Sequence, residues 1–150
     1  MIKKFNSLFV TMFGLGKIGI IPGTFGSLAT IIILYFLFHG LDISSNLILI
    51  GLIVIFIYSF LAVENYIKNS ENKDPGEIII DEFIGQSIPI YLYEISHGTE
   101  KSNEEAIIFY LICFVLFRYF DIFKPFPVSF FDKSFKNSFG VIMDDVCAGL

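Results

Sequence analysis

The chain has 150 residues, of which 55% are hydrophobic and 17% charged, and its mean hydropathy is +0.73. Because an ordinary soluble domain is only about 45–50% apolar, this composition is atypical of a soluble protein and predicts one domain, residues 1–150, that lies in a membrane. The formal net charge of −5 argues against a nucleic-acid partner.

Two uncharged segments in the first half of the chain predict two membrane helices. Pro22-Gly23 interrupts the first segment, so the first helix is expected over residues 24–38. Polar residues within 39–46 then indicate a turn, and residues 47–63 make up the second segment. Each segment approaches the ~20 residues needed to cross a hydrocarbon core of ~30 Å.

The third apolar segment, residues 78–93, follows a polar connector and differs from the first two because it contains acidic residues. Asp81 and Glu82 occupy its first turns, and Pro89 predicts a kink. A second polar connector, residues 94–105, follows it. The segment is therefore expected to form a third helix with an acidic N-terminal end.

The last third of the chain predicts one long helix and one short helix. Residues 106–117 are apolar but cover only about 18 Å, so the helix is expected to continue through Arg118 to Asp121. An amphipathic connector, residues 130–138, precedes a final helix that opens at Gly140. The expected fold is an all-α, polytopic membrane bundle of four to five helices.

The basic residues orient this bundle, because loops rich in lysine and arginine stay on the cytoplasmic side of a membrane. With the predicted spans, every basic residue except Lys101 falls on one side. The acidic pairs Asp81-Glu82 and Asp144-Asp145 fall on that side as well. We therefore expect the active site at the cytoplasmic face.

The same two acidic pairs, Asp81-Glu82 and Asp144-Asp145, lie in otherwise apolar helices. Ionisable groups in such segments are costly unless they are paired or line a polar cavity, so they mark candidate functional sites. Carboxylates from two helices supply the oxygen ligands that Mg²⁺ prefers, together with water and phosphate oxygens. The alternative is that the acids only stabilise helix N-termini, which suits Asp81-Glu82 better than Asp144-Asp145.

Basic and polar residues near the same face predict phosphate binding. Arg118, Asp121 and Lys124 recur every three residues, which places three charges on one side of an apolar helix. Arg118 and Lys124 would bind phosphate oxygens, and Asp121 would orient Arg118 or bind metal. The alternative is that both basic side chains extend to the membrane interface beside a local ion pair. Thr24 and Ser27 lie where a glycine-rich turn opens a helix N-terminus to an anion.

Four segments resemble the bacterial phosphatidylglycerophosphatase A family and follow the family's order over nearly the whole chain. They are Pro22-Gly23-Thr24-Phe25-Gly26-Ser27-Leu28, residues 74–85 with Asp81-Glu82, residues 117–127 followed by Asp132, and residues 140–145 with Asp144-Asp145, followed by Ala148-Gly149. The resemblance implies a Mg²⁺-dependent phosphatase of the bacterial inner (cytoplasmic) membrane with several spans. Its phospholipid substrate would be phosphatidylglycerophosphate, which it would convert to phosphatidylglycerol and inorganic phosphate.

The residues and the resemblance together predict a mechanism in which water attacks the phosphate with the assistance of Mg²⁺. Arg118 and Lys124 would neutralise the charge that develops on the phosphate. The predicted metal ligands are carboxylates of the same face: Asp74, Asp81, Glu82, Asp144 and Asp145, with Asp121 as a further candidate.

Two other functions stay open from the sequence. A small ion or metal transporter would need polar residues along its helices, whereas residues 47–63 and 106–117 are almost entirely apolar. A soluble, phosphatase-like helical bundle is the second alternative, because the third and fourth apolar runs are short for membrane spans.

Overall fold

The computed structural model of the chain describes residues 2–68, 75–97 and 102–150, and within these ranges the chain forms seven α-helices and no strand. The helices are α1 (Ile2–Val10), α2 (Pro22–Tyr35), α3 (Ser45–Ile67), α4 (Ile80–His97), α5 (Asn103–Phe123), α6 (Val128–Ser134) and α7 (Ser138–Gly149). A π-helical turn, Phe36–Gly40, extends α2, and a 3₁₀ turn, Leu15–Lys17, follows α1. The all-α prediction is confirmed.

The described residues contain more helices than the four to five expected. The additional elements are α1 and α6, which have only 9 and 7 residues. α1 lies in the N-terminal stretch, and α6 overlaps the segment that was expected to be an amphipathic connector. Both are too short to cross a bilayer, so they add no candidate span.

Local sequence signals set where the two helices beside the site begin. α2 begins at Pro22 instead of after the Pro-Gly pair, because a helix's first N–H has no intrahelical partner and proline's φ already suits the helix. α5 begins with a capping box in which Ser102 and Glu105 each accept the other's backbone N–H. It then continues to Phe123, so Arg118 lies inside the helix as predicted.

α4 is the central helix and contacts α2, α3, α5 and α7. Near its N-terminal end, Phe83 and Ile84 pack with apolar residues of α3 and α7. Farther along, Ile90 and Tyr93 pack with residues of α2 and α5. Burial of these side chains stabilises the position of α4 among the other helices.

Two glycines allow α4 and α7 to approach closely. A Cβ atom on Gly85 would lie 2.5 Å from the carbonyl oxygen of Asp145, and a Cβ atom on Gly149 would overlap the carbonyl oxygen of Gly85. Both obstacles are backbone atoms, so a side chain at either position would push the helices apart. This contact holds α7 against α4 at the turn that contains Asp145.

Three helical segments of the described chain are long and apolar enough to cross a membrane: Pro22–Gly40, Ser45–Ile67 and Asn103–Phe123. Their outer faces expose large apolar side chains such as Ile57 of α3 and Val115 of α5. Extensive exposed apolar surface of this kind indicates contact with lipid. α4 was expected to be a further span but is not among the three candidates.

The structure corrects the expected position of Glu94, which was assigned to the polar connector of residues 94–105. Glu94 lies inside α4 and is only 7% exposed. Tyr110 donates a hydrogen bond to its Oε1 atom at 2.9 Å, and Nε2 of His39 lies 3.2 Å from the same oxygen. The prediction was wrong because partners from α5 and from the π-helical turn satisfy this buried carboxylate, and helical periodicity does not reveal them.

Candidate active site

Three carboxylates from two helices meet at one end of the bundle. Asp81 and Glu82 lie in the first turn of α4, and Asp145 lies in α7. One oxygen of each carboxylate lies within 4.8 Å of the other two. Asp81 and Asp145 are 6% and 4% exposed, so little water separates their charges. Such a cluster is unfavourable unless a cation or protons offset the repulsion.

A guanidinium group from α5 faces this cluster. Nη1 of Arg118 forms an ion pair with Oδ2 of Asp121 at 2.6 Å and lies 3.9 Å from Oε1 of Glu82. It is also 3.5 Å from Oγ of Ser27 in α2. Because Asp121 is three residues after Arg118 on the same helix, it fixes the direction of the guanidinium toward the carboxylates.

The first turn of α2 packs against the cluster without a side chain in between. A Cβ atom on Gly23 would overlap Oε1 of Glu82 and lie 3.1 Å from Nη1 of Arg118. Ser27 donates a hydrogen bond to the carbonyl oxygen of Gly23 at 3.0 Å. Thr24, the residue directly after Gly23, is half-buried. Glycine at position 23 therefore lets the backbone of α2 reach the two charged groups.

Lys124, directly after α5, connects the end of that helix to α6 and α7. Its Nζ atom lies 2.6 Å from Oδ1 of Asp132 and 2.7 Å from Oδ2 of Asp144. Burial alone would lower the pKa of Lys124, but these two hydrogen bonds outweigh it and raise the pKa above its ordinary value. The hydrogen bond from Lys124 also lowers the pKa of Asp132. Lys124 therefore acts in this structure as a cationic link between two carboxylates.

The carboxylate cluster fits a divalent cation. Its donors are all carboxylate oxygens, and they lie within 4.8 Å of one another, whereas oxygens around one Mg²⁺ at ~2.1 Å lie about 3–4 Å apart, so a small inward shift would bring them onto one cation. Burial raises the pKa of Asp145 in α7 well above its usual range, and the charges of Asp121, Asp81 and Glu82 raise it further. Oε2 of Glu82 is buried and has no hydrogen-bond partner among the described residues. A bound cation would offset the repulsion among these carboxylates.

Comparison with known protein families identifies the chain. The model of the phosphatidylglycerophosphatase A family matches residues 8–150, which include all the helices around the carboxylate cluster. The chain belongs to this family. The resemblance that the four sequence segments suggested is thereby confirmed.

Three relatives align with most of the length of this chain. Phosphatidylglycerophosphatase A of Haemophilus influenzae is 35% identical over 138 residues, covering 92% of this chain and 78% of the relative. Phosphatidylglycerophosphatase A of Escherichia coli is 31% identical over 139 residues, covering 92% and 73%. A Bacteroides thetaiotaomicron protein named as a putative phosphatidylinositol-3-phosphatase is 33% identical over 141 residues, covering 93% and 84%. No solved structure shows significant similarity to the chain.

The structure brings most of the predicted site residues of this phosphatidylglycerophosphatase A family member to the same end of the bundle. Asp81, Glu82 and Asp145 form the cluster itself. Arg118, Asp121 and Ser27 lie around it, and Thr24 follows Gly23 in the first turn of α2. Two predicted residues, Asp144 and Lys124, form an ion pair with each other at 2.7 Å. Asp74 lies outside the described residues.

Two residues near the site were not predicted from the sequence. Gly85 belongs to a family segment, but its role as a point of close approach to Asp145 requires the tertiary contact between α4 and α7. Gln86 is completely buried and lies one turn after Glu82 on α4. Its spacing could have revealed it, because Gln86 is a polar residue four positions after Glu82 in an otherwise apolar helix, and this spacing places both residues on one face.

Proposed function

We propose that the chain hydrolyses the terminal phosphate monoester of phosphatidylglycerophosphate, giving phosphatidylglycerol and inorganic phosphate. The observation that carries the chemistry is the convergence of Asp81, Glu82 and Asp145 with the guanidinium of Arg118. Membership of the family supports the choice of lipid substrate. Mg²⁺ is the proposed cofactor, and these three carboxylates are its proposed ligands.

Each residue around the cluster has a proposed task. Arg118 has five N–H donors, so it can bind phosphate oxygens while Asp121 holds its orientation. Ser27, which lies 3.5 Å from Nη1 of Arg118, and Thr24, in the first turn of α2, are proposed to contact the substrate. Mg²⁺ bound by the carboxylates would offset the charge on the phosphoryl oxygens and favour attack by water. The positive charge of Arg118 stabilises the additional negative charge of the transition state.

Lys124, Asp144 and Asp132 are proposed to support the site by holding α7 in place. Their ion pairs join the residue after α5 to α6 and α7. Because Asp145 follows Asp144 directly, the pair between Lys124 and Asp144 also fixes the part of α7 that supplies a metal ligand.

The proposed location is the cytoplasmic face of the bacterial inner membrane. α2 begins and α5 ends at the end of the bundle that contains the carboxylates. Lys17 precedes α2, Lys124 directly follows α5, and Lys133 lies in α6 next to Asp132, the partner of Lys124. This distribution favours the cytoplasmic side. The acyl chains of the substrate would stay in the bilayer beside the three candidate spans, while its phosphate reaches the cluster at headgroup level.

Phosphate release from purified protein in detergent tests both the substrate and the cofactor. We expect phosphatidylglycerophosphate to be hydrolysed with Mg²⁺, hydrolysis to stop in EDTA, and excess Mg²⁺ to restore it. Phosphatidylinositol 3-phosphate is the comparison substrate, because one relative carries a name for that activity. Faster hydrolysis of the inositol lipid would overturn the proposed substrate, and full activity in EDTA would overturn the proposed role of Mg²⁺.

A further inference from the structure

Gln86 combines complete burial with a lack of hydrogen-bond partners for its amide in the described part of the chain. Its exposed fraction is 0%, and neither Oε1 nor Nε2 has a hydrogen-bond partner among the described residues. A buried amide without partners is less favourable than an apolar side chain of the same size, such as methionine. A glutamine at this position therefore requires an explanation that packing does not provide.

The other buried side-chain atoms that lack a hydrogen-bond partner indicate why a glutamine stands at this position. In the described part of the chain, the other buried side-chain atoms without a partner are Oε2 of Glu82 and Nε of Arg118. These two residues face each other, with Nη1 of Arg118 3.9 Å from Oε1 of Glu82. All the unpartnered atoms thus belong to Gln86 and to two residues of the proposed active site.

Helix geometry places Gln86 next to this pair. Glu82 and Gln86 are four residues apart on α4, so their Cβ atoms are about 5–6 Å apart on one face. Side chains in a helix lean toward its N-terminus, which directs the amide of Gln86 toward Glu82. At such a separation one water molecule can bridge groups that do not touch, and a buried water typically makes about three hydrogen bonds. The four unpartnered atoms provide suitable donors and acceptors for it.

We propose that Gln86 is a positioning residue of the carboxylate cluster, which acts through one buried water on Glu82 and Arg118. The amide and the water hold the carboxylate of Glu82 in its orientation at the cation site, and they hold the Nε side of the guanidinium. This inference rests on the proposed function, because it assigns Gln86 a task at the proposed Mg²⁺ site. Loss of such a supporting partner typically weakens metal binding by about 10–100-fold.

The test compares Gln86→Met with the matched control Ile90→Met, which lies one turn farther along α4 and is equally buried. The melting temperature of the detergent-solubilised protein is measured while Mg²⁺ is titrated, so binding is read without turnover. The melting temperature of each variant in EDTA is its own reference, so a change in stability without Mg²⁺ does not enter the comparison of the Kd values. We expect the apparent Kd of Gln86→Met for Mg²⁺ to rise about 10-fold or more, with a matching rise in the KM for Mg²⁺. Ile90→Met should keep the wild-type Kd.

The outcomes separate this inference from the proposed function. If Mg²⁺ raises the melting temperature of the wild type and of Gln86→Met with the same Kd, the role of Gln86 is wrong and the cation site stands. If Mg²⁺ has no effect on the wild type, the cation site and the role of Gln86 are both wrong. Should Gln86→Met fail to fold, Gln86→Asn, which keeps a shorter amide, gives the same comparison, and an unchanged Kd there would likewise overturn the role.

Discussion

Replacing Asp145 with asparagine is expected to lower turnover of phosphatidylglycerophosphate by roughly 10²–10³-fold, the usual loss when one group that stabilises a transition state is removed. The change keeps the shape of the side chain but removes one of the three charges that would hold Mg²⁺. Phosphate release at saturating Mg²⁺ is the measurement. Wild-type turnover in Asp145→Asn would contradict the assignment of Asp145 as a ligand.

The same substitution is expected to stabilise the metal-free protein. Burial and the neighbouring charges raise the pKa of Asp145 in the folded protein, so the folded state holds this proton more tightly than the unfolded state does. Stability of the metal-free wild type therefore falls as pH rises from the ordinary aspartate pKa toward the raised one. The asparagine variant lacks this loss and should melt higher than the wild type in EDTA at neutral pH.

Asp144→Asn is the matched control, because it changes the neighbouring carboxylate of the same helix. Asp144 pairs with Lys124, so its replacement removes a partly buried ion pair and should lower the melting temperature. The two variants should therefore change the melting temperature in opposite directions. A lower melting temperature for both would contradict the proposed repulsion at Asp145.

Gly23→Ala is expected to lower turnover about 10²-fold while the bundle stays folded, because a displacement of about 1 Å at a catalytic group can cost that much. The added methyl group would overlap the carboxylate of Glu82 and lie 3.1 Å from the guanidinium of Arg118. Both obstacles are ends of flexible side chains, so they can move aside and the helix can stay in place. The site is disturbed more than the fold.

Gly51→Ala is the control for this prediction, since a Cβ atom on Gly51 of α3 would meet nothing within 4 Å. Alanine also favours a helix over glycine, so this variant should be as active and at least as stable as the wild type. Turnover and the melting temperature are measured for both variants. Equal turnover in Gly23→Ala and Gly51→Ala would show that the close approach of α2 does not affect the reaction.

Several features of the fold could be predicted because they depend on local sequence. The uncharged run of α3 and the continuation of α5 through Arg118 follow from apolar length and from helix rise, and the structure agrees with both. The start of α2 was misplaced by two residues because Pro22 was interpreted as a helix breaker, whereas proline in the first turn favours a helix. Short helices such as α6 have too few residues to show a clear periodicity.

Contacts between distant helices were harder to predict. The sequence predicts both Asp144 and Asp145 as metal ligands but not their separate surroundings. Adjacent helical residues point about 100° apart, so Asp144 pairs with Lys124 while Asp145 lies with Asp81 and Glu82 of α4. Which residue takes which position depends on the rotation of α7, and the close approach at Gly85 fixes that rotation. Glu94 was misplaced for a similar reason, because its partners come from other helices.

The position of a bound cation tests the central claim most directly. Mn²⁺ can replace Mg²⁺ at oxygen-rich sites, and its anomalous X-ray scattering locates it in crystals of the Mn²⁺-loaded protein. We expect a peak about 2–2.5 Å from carboxylate oxygens of Asp81, Glu82 and Asp145. A peak between Asp132 and Asp144, or no peak at the three-carboxylate cluster at saturating Mn²⁺, would contradict the proposed site.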